Sequence, residues 1–204
     1  DMSGLLKLVE ILPSTKIKSL GLEYNELSPE GGAAIAKGLR GNSTLKSLKL
    51  ASNQLCGVDE LGEGTYTVDG FTKLCEALKG SAMASLNLEG NQLGPEGAAA
   101  IAEGLKGNTT LQSLNLQENR LCGLNSLGRG TYTTEGITKL CEGLKGSAVT
   151  SLDIADNNIG EEGASALAAV LKETQITDLN LERNKLGPEG GAAIATGLKG
   201  NSTL

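Results

Sequence analysis

The chain has no histidine and no tryptophan, and only one phenylalanine and three tyrosines among 204 residues. Without histidine, Ser–His and Cys–His nucleophilic pairs are excluded, and two cysteines per site are too few to hold zinc. With aromatics at 2%, a compact globule of this size would struggle to fill its centre, which points to a thin, repetitive core of Leu, Ile and Ala. No run of about 18 apolar residues is present, so no membrane span is expected. The opening "DMSGLLKLVEILPSTKIKSL" lacks the charged start and small-residue cleavage site of a secretion signal. Basic residues are in deficit, 18 against 24 acidic, for a net charge of −6. That balance argues against nucleic acid or an anionic membrane as the main partner. The four cysteines are even in number, but a chain this long needs no disulfide framework to fold.

What the chain has in abundance is repetition. The frame L-x-x-L-x-L-x-x-N-x-L recurs six times, as "IKSLGLEYNEL", "LKSLKLASNQL", "MASLNLEGNQL", "LQSLNLQENRL", "VTSLDIADNNI" and "ITDLNLERNKL", starting at residues 17, 45, 83, 111, 149 and 176. Its asparagines, Asn25, Asn53, Asn91, Asn119, Asn157 and Asn184, stand 28, 38, 28, 38 and 27 residues apart. A short and a long step make a 66-residue super-repeat, and residues 45–110 match 111–175 at over half their positions. The long units carry about ten extra residues, "DELGEGTYTVDG" from Asp59 and "NSLGRGTYTTEG" from Asn125.

Each unit reads as strand, loop, helix and turn. In "LKSLKL" the period-two alternation directs Leu48 and Leu50 inward and Ser47, Lys49 and Ala51 outward. The frame asparagines are expected to be structural, bonding backbone of neighbouring turns in a ladder. In "LGPEGAAAIAEGLKGN", Pro95 suits the first helical turn and Glu96 favours the positive end of the dipole. Ile101, Ala102 and Leu105 form the inward face, and Gly107 with Asn108 ends the helix. In long units Thr67 and Thr133 take the N-cap place, before Asp69 and Glu135. No unit buries its apolar side alone, so stacking must close the core.

The frame together with the "GPEGAAAIAEGLKGNTTL" helix resembles the ribonuclease-inhibitor-like leucine-rich repeats, over residues 17–204. The resemblance implies an α/β solenoid, a right-handed horseshoe with a parallel sheet on the concave face and helices on the convex face. It also implies a cytoplasmic protein that binds other proteins. The chain is then one array over 1–204, with 1–16 ending a preceding unit and Leu204 opening a seventh. With no capping module at either end, it reads as a piece of a longer array or as an engineered scaffold with no evolved partner. Uncapped ends would permit weak self-association through strand edges.

The insert "DELGEGTYTVDG" begins like a calcium loop but fails as one. Its third position is Leu61 and its twelfth Gly70, and the second copy places Arg129 at position five. The cysteines form equivalent pairs, Cys56 with Cys75 and Cys122 with Cys141; each reads as small core residues or as a within-repeat disulfide. Glu161 and Glu162 sit at a helix start for dipole reasons, and "GEGTYT" and "GRGTYT" lack the lysine of a phosphate-binding loop. The sequons at Asn42, Asn108 and Asn201 all fall in the helix-to-strand turn, where turn chemistry explains them. No cofactor or metal is implied.

Two surfaces remain for binding. The concave face collects the acids Glu23, Glu89, Glu118, Asp153, Asp156, Asp178 and Glu182, together with Tyr24, against the bases Lys49 and Arg183. Seven acids against two bases leave −5, most of the net −6, and favour a protein partner with a basic surface. The second surface is the rim carrying the inserts, with Glu63, Tyr66, Arg129 and Tyr132; copies two units apart would lie about 10 Å apart at strand spacing. Tyrosine often anchors interfaces, but each of these two equally suits packing against the neighbouring helix. The expected function is a non-enzymatic protein-binding scaffold, with regulation of a small GTPase as the alternative, for which Arg120 and Arg183 are the arginines that follow strands.

Overall fold

In the computed structural model of the chain, which describes residues 2–125 and 127–199, six three-residue strands alternate with helices. The strands are β1 (Ser19–Gly21), β2 (Ser47–Lys49), β3 (Ser85–Asn87), β4 (Ser113–Asn115), β5 (Ser151–Asp153) and β6 (Asp178–Asn180). The helices are α1 (Ser3–Ile11), α2 (Ser28–Leu39), α3 (Asp69–Leu78), α4 (Gly94–Leu105), α5 (Glu135–Leu144), α6 (Gly160–Val170) and α7 (Gly187–Leu198). The strands form one parallel sheet in chain order, and the frame alone sets the register: Leu20, Leu48, Leu86, Leu114, Leu152 and Leu179 pair in sequence. This is the expected α/β repeat solenoid. The ends at Asn201 and Leu204, to which a sequon and the opening of a seventh unit were assigned, lie outside the described residues.

One hydrophobic core runs the length of the stack. Strand leucines such as Leu48, Leu86 and Leu114 meet Ile35, Leu74, Ile101, Leu140 and Leu167 from the helices. Phe71, the chain's single phenylalanine, is completely buried in it. Small residues let neighbouring helices approach closely. A Cβ on Gly104 would lie 2.7 Å from the Cys75 carbonyl oxygen, so that position admits glycine alone.

Two local expectations are corrected. Ala51 does not face solvent: it is 3% exposed, as is its counterpart Ala155, because the strands end at Lys49 and Asp153 and the period-two alternation does not extend to these alanines. The long-unit helices begin at Asp69 and Glu135, with Val68 and Thr134 as the flanking residues and no side-chain bond at those caps. Thr67 and Thr133 still serve the helix start from one residue upstream, their hydroxyls accepting from the Asp69 and Glu135 amides at 3.3 and 3.2 Å. The inserts themselves are short hairpins, closed by antiparallel bridges between Val58 and Gly64 and between Leu124 and Gly130.

Candidate functional site

The asparagine ladder organises everything on the sheet side. Asn53, Asn91, Asn119 and Asn157 are fully buried, whereas Asn25, in the first unit, is exposed. Each Oδ1 accepts from two amides of the preceding unit; for Asn91 these are Asn53 at 3.0 Å and Leu55 at 3.3 Å. Each Nδ2 donates to backbone carbonyls, for Asn91 those of Leu50, Leu88 and Glu89. The residues flanking each asparagine take left-handed backbone conformations, as at Ser52 and Gln54, Glu118 and Arg120, Asp156 and Asn158, and Arg183 and Lys185. Such conformations cost about 1–2 kcal/mol for an L-residue, and the ladder bonds offset that cost. In return several flanking side chains, among them Glu118, Arg183 and Lys185, are turned outward at the edge of the sheet, whereas Gln92 and Asn158 are buried.

The acidic sheet face is partly spoken for. Asp153 accepts from the Ala155 amide at 3.0 Å with one oxygen and from Asn180 Nδ2 at 3.0 Å with the other. Asn87, Asn115 and Asn180 hold the same place in their units, each bonding the amide two residues on, so Asp153 has a turn-forming role like theirs. Glu89 accepts from Asn115 at 3.3 Å, and Asp178 from the Ser151 hydroxyl at 3.2 Å. Arg183 lies 3.5 Å from both Asp156 and Glu182. Exposed contacts of this kind contribute little and break easily. Glu118, Asp178, Glu182, Lys49 and Tyr24 are exposed on this face, Tyr24 by 76%, and Glu23, Glu89, Asp153 and Asp156 are half-buried.

The inserts are braced to their neighbours. Tyr66 donates its hydroxyl to the Leu93 carbonyl at 2.6 Å, and Tyr132 donates to that of Ile159 at 2.7 Å. Each hydroxyl thereby reaches the start of the next unit's helix, over Gly94 and Gly160, where a Cβ would sit 3.2 and 3.1 Å from it. Burial raises both phenols above their usual range. Asp59 and Asn125 open the two hairpins identically, each Oδ1 accepting two amides of its own loop: those of Leu61 and Glu63, and those of Leu127 and Arg129. A neutral amide doing the same work as the carboxylate shows that Asp59 is there for turn geometry, not for a cation. Arg120 Nη2 donates to the Glu60 carbonyl at 2.6 Å, and Asn158 Nδ2 to that of Asn125 at 2.9 Å. Replacing both Tyr66 and Tyr132 by phenylalanine is expected to lower stability by about 1 kcal/mol for each lost bond. Urea denaturation checks this, and faster proteolysis within the two hairpins should accompany it.

Glu63 and Arg129 are exposed on the hairpins, Tyr66 is 39% exposed and Tyr132 half-buried. Leu61 and Leu127, absent from the surfaces that the sequence marks for binding, are 79% and 72% exposed at equivalent points of the two hairpins. The signal was available, because one leucine recurs at the same place in two otherwise polar loops. Beside the first hairpin run two clefts of about 240 and 260 Å³ that share Glu60. The first is lined by Ser52, Gln54, Val58, Asp59 and Leu61, the second by Gln92, Glu118, Arg120, Asp156 and Arg183.

The four cysteines are free and buried. Burial pushes Cys56, Cys122 and Cys141 up to about 12 and raises Cys75 as well. They are core residues of low reactivity, and no within-repeat disulfide links them. Asn42 and Asn108 are buried too, their Nδ2 groups donating to the Leu12 and Leu78 carbonyls at 2.6 and 2.8 Å. Their oxygens accept the amides that open the next strand, so these sequons are a second, turn-side ladder rather than glycan acceptors.

A stack of strand–loop–helix units, two of them carrying a hairpin, with an asparagine ladder inside and open surfaces on the sheet and rim defines a solenoid repeat protein. The chain belongs to the leucine-rich repeat family: the family profile described as Leucine Rich repeat matches residues 14–36, 41–55, 83–102, 107–121, 148–168 and 174–195. It is similar to Tonsoku-like protein of Bos taurus, with 38% identity over 121 residues, covering 58% of this chain and 7% of that protein. It is also similar to Rho GTPase-activating protein gacW of Dictyostelium discoideum, with 30% identity over 124 residues, covering 57% of this chain and 10% of that protein. The chain thus spans a tenth or less of the length of these relatives. Among solved structures, Leiomodin-1 Actin-Binding Site 2 (ABS2) superposes with a TM-score of 0.54 over 98% of this chain and 90% of that one, at 16% identity, which speaks to the fold.

Proposed function

We propose that the chain is a non-enzymatic module, of the ribonuclease-inhibitor-like subtype, that binds a protein partner with a basic surface through its sheet face and hairpin rim. The observation that carries this reading is the array of exposed or half-exposed carboxylates on the sheet face, of which only Asp156 and Glu182 lie within ion-pair distance of a base among the described residues. A field of one sign over an open surface steers an oppositely charged partner and sets its orientation. The four free, buried thiols support a reducing, intracellular setting. The test is a pull-down with the wild-type chain and with a Glu118→Lys/Glu182→Lys variant. Proteins retained by the wild type, released by high salt and lost on the variant are the expected result. Retention indifferent to both salt and charge reversal would refute it.

A second reading, regulation of a small GTPase, is supported by the likeness to gacW and by Arg183, whose side chain is 71% exposed beside the clefts. Arg120 is less suited, being held on the Glu60 carbonyl. A GTP-hydrolysis assay with Rho-type GTPases, comparing wild type with Arg183→Ala, decides it.

A further inference from the structure

We infer that the hairpin rim is a docking groove for a basic amphipathic helix, anchored by Leu61 and Leu127; the inference rests on the protein-binding reading above and names the shape of its partner. Large apolar side chains as exposed as 79% and 72% are unusual on a chain whose other leucines are mostly buried. These two occupy identical places in two hairpins that are rigidly held, by the Asp59 and Asn125 caps, by Tyr66 and Tyr132, and by Arg120 and Asn158 from later units. Rigid presentation lowers the entropy lost when a partner covers such a side chain.

Spacing selects the partner's conformation. Hairpins that keep the strand spacing of the sheet over two units stand about 10 Å apart, and seven residues of α-helix rise about 10.5 Å, so positions i and i+7 of one helix face match that separation. An extended strand covers about 10 Å in three residues, but i and i+3 then point to opposite faces. Polyproline helices match the distance, yet their grooves are built from aromatic rails, and these anchors are aliphatic.

Charge selects the rest. The clefts beside the first hairpin share Glu60 and are lined, among others, by Asp59, Glu118 and Asp156. Their two arginines are already engaged, Arg120 on the Glu60 carbonyl and Arg183 beside Asp156 and Glu182. Glu60 and Glu118 have no ion pair among the described residues. Lysine or arginine on the flanks of the docked helix would meet those two carboxylates while its apolar stripe covers the leucines.

The test uses the full chain and fluorescent 15-residue peptides, with anisotropy as the readout. The first peptide carries leucine at i, i+4 and i+7 on an otherwise Lys/Arg/Ala helix. The second has the same composition scrambled to break that stripe, and the third is a proline-rich peptide of equal charge. The first peptide is expected to bind best and to lose about tenfold in affinity for each anchor removed by Leu61→Ser and Leu127→Ser. Both leucines are exposed, so the variants fold, which unchanged denaturation midpoints verify. Equal binding of all three peptides, preference for the proline-rich one, or indifference to the leucine substitutions would overturn the helix-docking inference. In each of those cases the protein-binding reading stands, provided that binding weakens in Glu118→Lys/Glu182→Lys. If no basic peptide binds and the pull-down also returns nothing, both readings fall.

Discussion

Replacing Asn91 by alanine is expected to destabilise the chain by about 3–5 kcal/mol, a large part of the roughly 5–15 kcal/mol that holds a domain folded. The side chain is fully buried in the middle of the stack and joins two units. Without it, the Asn53 and Leu55 amides lose their shared acceptor and the Leu50 carbonyl loses its donor, none of them at a place where water enters freely. The left-handed turns at Ser52, Gln54 and Gln92 also lose the bonds that offset their strain. In a solenoid, stability resides in nearest-neighbour interfaces, so a weak central interface should also broaden the unfolding transition. Asn25 is the internal control: it is exposed, and among the described residues its side-chain Nδ2 donates to the nearby Glu23 carbonyl alone. Urea titrations of Asn91→Ala and Asn25→Ala should differ several-fold in midpoint shift. Equal losses would show that the ladder is incidental.

The second large effect is alkaline destabilisation. Cys56, Cys122 and Cys141 titrate at about 12 in the folded chain, against an ordinary thiol value of 9.0, because burial penalises the thiolate; Cys75 is shifted in the same direction for the same reason. Well below pH 9 all four are protonated whether folded or not, and stability does not depend on them. Above pH 9 the unfolded chain releases protons that the folded chain retains, so stability falls as pH rises toward the folded values. The slope approaches about 1.4 kcal/mol per pH unit for each thiol. Denaturation midpoints under reducing conditions should therefore be flat to about pH 8.5 and drop steeply by pH 10. Cys75→Ala with Cys141→Ala should remove about half of that drop. Alanine suits both sites, since Ala102 stands at the equivalent place in a short unit. An unchanged alkaline slope in the double variant would contradict the assignment. Keeping the range below pH 10 matters because the buried phenols of Tyr66 and Tyr132 add to the fall beyond it.

These predictions turn on features of different legibility. The ladder asparagines were visible as a spacing, and the inward leucines as a period of two. The roles of the polar rim were not. Tyr66 and Tyr132 were equally good as partner anchors or as packing residues until the Leu93 and Ile159 carbonyls were found beneath them. Asp153 counted as a charge on an open face, yet it occupies a place that Asn87, Asn115 and Asn180 fill with the same turn bond. Arg120 stood as a loose arginine after a strand, and sixty residues of sequence separate it from the carbonyl it holds.

The amino-acid sequence by itself determined the strand–helix alternation, the six-fold frame and the identity of the core. Burial acts on every unit in the same way, and it writes the same local pattern each time. Only the tertiary structure decided which polar side chains brace the stack and which stay exposed. Those assignments depend on what the next unit, or the one after it, places within hydrogen-bond reach once the units are stacked. So each insert divides its side chains in space, with the tyrosine turned in to hold the solenoid and the leucine turned out to solvent.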